Sequence, residues 1–172
     1  MKVEQLIKST MERPCVFVTG KMDVPVDYFI KKIEEGIAAE NAENYVTNLI
    51  RPMTNYHYFN EDKEFYKLIF PLFDLIEKHS LSDKQKYGLN SSWGFRQGFS
   101  NHTVRHQHRP STLSGAIALN NHSQTLYFPQ INQKLESKKG NFALFSSYLD
   151  HYNNRNLCDD FRYGLSFNLM EI

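Results

Sequence analysis

Apolar positions recur along this chain with two different periods. Between Asp27 and Ala39, Phe29, Ile30, Ile33 and Ile37 return every three or four residues behind Pro25, and this spacing predicts an amphipathic helix. The same period runs from Asp62 to His79 through Phe65, Leu68, Ile69, Leu72, Phe73 and Ile76, which predicts a second helix that Pro71 breaks or kinks. Ahead of both, the β-branched and aromatic run PCVFVT (Pro14 to Thr19) stops at Gly20 and reads as a strand.

After Ser80 the texture changes to short apolar runs punctuated by Gly, Asn, Ser and Pro. Strands are predicted over Ser92 to Phe99, Thr103 to His108, Ser114 to Asn120, Thr125 to Phe128, Asn141 to Ser146 and Arg162 to Leu169, with KLESKKG (Lys134 to Gly140) as a solvated loop. Short strands behind leading helices predict a mainly β fold with flanking helices (α+β), a jelly roll or related β-barrel. No repeat or linker divides the chain, so residues 1–172 read as a single domain, with a helical and strand part over 1–85 and a jelly-roll part over 86–172. The helices either cap the barrel or form a dimer surface; packing on the sheet is the default.

Composition narrows the function classes. In 172 residues, 20 basic side chains nearly balance 19 acidic ones, leaving no broad positive field for nucleic acid. Cys15 and Cys158 have neither metal-ligand spacing nor the density of a disulfide framework, which fits a reducing compartment. The longest apolar patch, Leu68 to Ile76, is interrupted by Pro71 and Asp74, so the expectation is a cytoplasmic protein with no membrane partner.

Histidine is the unusual residue. Four of the seven fall between 102 and 122. On an extended Thr103 to His108 the period of two puts Val104, His106 and His108 on one face, a pair suited to a metal ion if a neighbouring strand supplies a third ligand. His151, at the end of the buried run GNFALFSSYLD, is the candidate. A His pair on a strand is also common as surface decoration. Arg162, opening RYGLSFNL, is either salt-bridged or exposed, or else a two-pronged clamp for the far carboxylate of a dianion beside the metal. His102 reads as a surface residue, Trp93 and Phe95 as core or site-mouth packing, Tyr127 and Phe128 as core strand residues, and Asn168 as a strand-end polar group.

The stretches HQHRPSTLSGAIALN, GNFALFSSYLDH and RYGLSFN, over about residues 91–169, resemble the C-terminal signature of small 2-oxoglutarate- and iron(II)-dependent oxygenases, specifically short oxygenases of marine bacteria and their phages. That resemblance implies a double-stranded β-helix. It also implies His106, His108 and His151 as ligands of iron(II), Fe(2+), and Arg162 as the residue binding the C5 carboxylate of 2-oxoglutarate, with Ser166 as a hydroxyl partner on the same strand face. The implied reaction consumes 2-oxoglutarate and O2 and couples decarboxylation to succinate with oxidation, as in a hydroxylase, of a small molecule or a protein or peptide substrate. The setting implied is the cytoplasm of a bacterial or phage-infected cell. The chain departs from the pattern at His108, where the wider superfamily carries a carboxylate, at Phe145-Ser146-Ser147-Tyr148 in place of Phe-Pro-Ser-Trp, and at Ala116, Ile117 and Ala118 in place of aromatic residues. Two alternatives stand beside this reading: a metal-dependent cupin dioxygenase that needs no keto acid, and a catalytically silent binding module on the same fold. Arg162 discriminates the first from the oxygenase.

Overall fold

The computed structural model describes residues 1–10, 14–39, 49–50, 52–78 and 86–172. In chain order its front part holds β1 (Lys2–Thr10), β2 (Pro14–Lys21), α1 (Val26–Ala39), β3 (Leu49–Ile50) and α2 (Lys63–Lys78). Behind these come β4 (Tyr87–Gln97), β5 (His102–His106), β6 (Leu113–Ala118), β7 (Thr125–Phe128), β8 (Gln133–Glu136), β9 (Asn141–Ser146), β10 (His151–Asn153) and β11 (Arg162–Glu171). The strands form a six-stranded sheet in the order β1-β2-β9-β6-β11-β4 and a five-stranded sheet in the order β3-β5-β10-β7-β8, with antiparallel pairing throughout. This is the double-stranded β-helix core with helices packed against it.

The larger sheet is buried on both faces, which explains why its strands lack a clean apolar and polar alternation. Val18, Leu144, Leu165 and Phe167 share one core cluster with Phe29 and Ile33 of α1 and Phe65, Ile69 and Leu72 of α2. The opposite face contributes Phe17, Ala143 and Phe145, which pack with Leu126, Phe128 and Leu135 of the smaller sheet. Polar links fix the helices in place. Glu34 of α1 accepts hydrogen bonds from Arg96 Nη1 of β4 and Tyr163 Oη of β11, both at 2.6 Å. Asp62 caps α2 by accepting from the Phe65 amide and takes the Tyr28 hydroxyl with its other oxygen.

Several boundaries differ from the sequence expectation. Pro71 neither breaks α2 nor ends it: the helix runs on to Lys78, and the apolar stripe on both sides of the proline keeps it on the sheet. His79, the expected end of that helix, lies outside the described residues. The start of the expected solvated loop pairs with β7 as part of β8, burying Leu135. The strand expected over Thr103 to His108 ends at His106, and Val104 points outward. The cause is a bulge. Against β10, His106 pairs with His151 and Thr103 with Asn153, so three steps on one strand match two on the other. Among the described residues no helix is long and apolar enough to cross a membrane.

Close packing between strands requires glycine at Gly164, as it does at Gly115 opposite Phe167. Gly164 faces Phe95 across the ladder, and a Cβ on it would collide with the Phe95 ring. Gly164→Ala is expected to destabilise the protein by about 1–3 kcal/mol, the usual cost of overpacking a core, measured by urea unfolding.

Candidate metal centre

The bulge in β5 and the register of β10 build the site. Because His106 and His151 are direct cross-strand partners, their side chains project from the same face, into the space between the sheets. Their ring centroids are 4.3 Å apart. His108 lies beyond the end of β5, held there by a hydrogen bond from its amide to the Ser147 carbonyl, and its ring completes the cluster at 4.8 Å from each of the other two. One ligand nitrogen from each of the three histidines can be chosen so that all lie within 4.8 Å of one another.

Local hydrogen bonds set two of the tautomers. His106 Nδ1 is 2.8 Å from the Val104 carbonyl, and His151 Nδ1 is 3.0 Å from the Leu149 carbonyl. A carbonyl only accepts, so each Nδ1 carries a proton and the neutral ring keeps its lone pair on Nε2. His151 Nε2 and His108 Nε2 stand 3.0 Å apart. At that distance the two nitrogens share one hydrogen bond, and with His106 they form a group that could hold a metal ion. The neighbouring carboxylate, Asp150, is turned away, accepting hydrogen bonds from Arg105 and Gln107, and the donor set is three imidazoles. Imidazole nitrogen at this spacing suits iron(II) as well as zinc or nickel.

The same cavity is lined by Trp93, Phe95, Thr103, Arg162 and Ser166. Its volume of about 30 Å³ is room for a water or so, and it is partly open to solvent. Arg162 lies at one end, 4% exposed, with its guanidinium carbon 5.1 Å from the centroid of the Phe95 ring. Its Nε donates to Ser137 Oγ at 3.2 Å and its Nη1 to Gln97 Oε1 at 2.6 Å. Both partners are neutral, and among the described residues no carboxylate pairs with it. Burial pulls its pKa down to about 10, which leaves it cationic at neutral pH.

Gln97 holds this end together. Its Oε1 also accepts from Asn153 Nδ2 at 2.9 Å, while its Nε2 donates to Asn153 Oδ1 at 3.2 Å and Thr103 Oγ1 at 3.3 Å. Gln97, Thr103 and Asn153 did not stand out in the sequence. For Gln97 a signal existed, since it shares strand parity with Trp93 and Phe95; Thr103 and Asn153 become neighbours only through the bulged pairing. Ser166 lies four residues from Arg162 along β11, about 13 Å of strand rise, opposite Trp93. His102 is half-buried outside the cluster, with Nδ1 3.4 Å from the Ser100 carbonyl.

No family model matches the chain, and no curated protein matches its sequence. Solved structures do match its shape. A viral collagen prolyl hydroxylase from Paramecium bursaria chlorella virus-1, in complex with 2-oxoglutarate, superposes with a TM-score of 0.66 at 11% identity, covering 89% of this chain and 94% of its own. A Pseudomonas putida prolyl-4-hydroxylase gives 0.63 at 12%, covering 91% and 92%. The carbocyclase SnoK of nogalamycin biosynthesis, described as non-heme and α-ketoglutarate-dependent, gives 0.68 at 11%, covering 90% and 79%.

Replacing Gln97 with Leu removes partners from Arg162, Asn153 and Thr103 at once. The expected cost is about 1–3 kcal/mol for each buried group left unsatisfied, read as a lowered denaturation midpoint. The fold that carries this network is a double-stranded β-helix, which the chain shares with these solved structures.

Proposed function

We propose that the protein is a 2-oxoglutarate- and iron(II)-dependent oxygenase, a hydroxylase acting on a small molecule or on a protein side chain such as proline. The observation that carries this reading is Arg162. A guanidinium buried beside three converging imidazoles, with only neutral partners, is costly to desolvate unless an anion arrives to pair with it. A keto acid with a second carboxylate meets both demands: its far carboxylate takes Arg162, and its keto-acid end reaches the ion held by His106, His108 and His151.

When bound, iron(II) would supply dioxygen activation coupled to decarboxylation of 2-oxoglutarate to succinate and CO2. The chain's own part is electrostatic and positional. Three neutral imidazoles leave the ion its full divalent charge, which favours a dianionic co-substrate. Val104 and Leu149 carbonyls fix the ring tautomers that present Nε2, Gln97 and Phe95 fix the guanidinium, and the apolar walls of Leu126 and Phe145 keep bulk water out. A cupin-type dioxygenase without a keto acid would leave the buried charge of Arg162 with no task.

The test is an anaerobic titration of iron(II)-loaded protein with 2-oxoglutarate, followed by visible absorption. A charge-transfer band is expected, and its absence overturns the reading. Arg162→Leu should weaken 2-oxoglutarate binding by more than about 1.5 kcal/mol with iron content unchanged. His108→Ala and His151→Ala should each lose stoichiometric iron while remaining folded by circular dichroism. Full iron content in the His108 variant would refute the three-histidine set.

A further inference from the structure

Three rungs of side chains line the cavity. At one end Gln97 of β4 faces Arg162 of β11, and both lie with Thr103 and Asn153 through the Gln97 amide. On the next rung Phe95 faces Gly164, and across the cavity His106 faces His151, three residues along β5 and two along β10 from the Thr103 and Asn153 pair. On the third, Trp93 faces Ser166, and the indole lies 5.6 Å from the His108 ring. The histidines therefore sit between Arg162 and Trp93.

Trp93 is 1% exposed, and its Nε1–H has no acceptor among the described residues. Buried indole N–H groups find partners as a rule, and an unpaired one bears its desolvation cost without return. Packing of the indole edge-on with Tyr56, ring centroids 5.0 Å apart, holds the ring against turning away. Ser166, across the ladder, adds a half-buried hydroxyl that lines the same cavity. Together they make a second polar station, on the side of the histidines away from Arg162.

Resting on the keto-acid reading above, we propose that Trp93 donates its indole hydrogen bond to the metal-side carboxylate of a 2-oxo acid bound at the histidines, with Ser166 flanking that carboxylate. The two carboxylates of 2-oxoglutarate then have separate receptors: Arg162 for the far one and Trp93 for the near one. Pyruvate, which keeps the 2-oxo acid end and lacks the far carboxylate, should use Trp93 alone.

Trp93 is the single tryptophan of the chain, so isotope-labelled protein gives one indole N–H signal in a nitrogen–proton correlation spectrum. Zinc-loaded wild-type protein, diamagnetic and redox-silent, is titrated with 2-oxoglutarate and with pyruvate while calorimetry records affinity. Both ligands should move that signal downfield and slow its exchange with solvent. Trp93→Phe should weaken both ligands by about tenfold or more, the effect of a hydrogen bond to a charged group, whereas Arg162→Leu should weaken 2-oxoglutarate alone. An indole signal that stays put while calorimetry shows 2-oxoglutarate binding overturns the proposal and leaves the keto-acid reading standing. So does a Trp93→Phe variant whose affinities for both ligands stay within about twofold of wild type. If calorimetry of the wild type detects no 2-oxoglutarate binding, the keto-acid reading falls and takes the Trp93 assignment with it.

Discussion

A guanidinium held out of water with neutral partners organises the interior of this protein. Burying that charge at the start of β11 obliges β4 to place Gln97 beside it as an acceptor and Phe95 beside it as a polarisable face. Phe95 in turn leaves no room for a side chain opposite, which is why the facing residue is Gly164. Gln97 then reaches across the cavity to Asn153 and Thr103, joining the two sheets through an amide pair where an apolar core would otherwise close. Each of these choices follows from keeping one cation buried, charged and uncompensated.

That same cross-cavity link fixes the smaller sheet at its narrowest place. β10 is three residues long and carries both Asn153, tied to Gln97, and His151, tied to the Leu149 carbonyl. The extra residue in β5 sends Val104 and Arg105 outward and keeps Thr103 and His106 facing in. Arg105, once outside, holds Asp150 and keeps that carboxylate off the histidines. A bulge next to a cluster of metal-type donors thus decides which side chains are donors and which are not.

The donor set has an electrostatic consequence. A carboxylate in place of His108 would cancel one unit of the ion's charge, and three neutral imidazoles do not. With an ion bound as proposed, that retained charge beside the Arg162 cation would raise the affinity for dianions. The histidine at this position and the neutral hydrogen-bond partners of Arg162 would work in the same direction. Both helices lie on the far face of the larger sheet, so the site's electrostatics are set by the two sheets and their loops.

Much of the architecture was legible in the sequence because it rests on local periodicity. The 3.6-residue stripes gave α1 and α2, and the apolar runs gave the strands that came to rest as β2, β4, β5, β6, β7, β9 and β11. Strands β1, β3, β8 and β10 went unread because they are polar or only a few residues long, and it is pairing with neighbours that makes them strands. Pro71 does not break α2, because the sheet-facing apolar stripe on both sides of it outweighs one lost hydrogen bond. The sequence by itself singled out His106, His108, His151 and Arg162 as chemistry-bearing residues, since their types and spacing are local facts. Only the tertiary structure decided that the three histidines converge, that Val104 leaves their face, and that Arg162 is buried without a counter-charge among the described residues. It alone brought Gln97, Thr103 and Asn153 together and left the Trp93 indole hydrogen without an acceptor, because register, bulges and burial depend on which strands meet across the barrel.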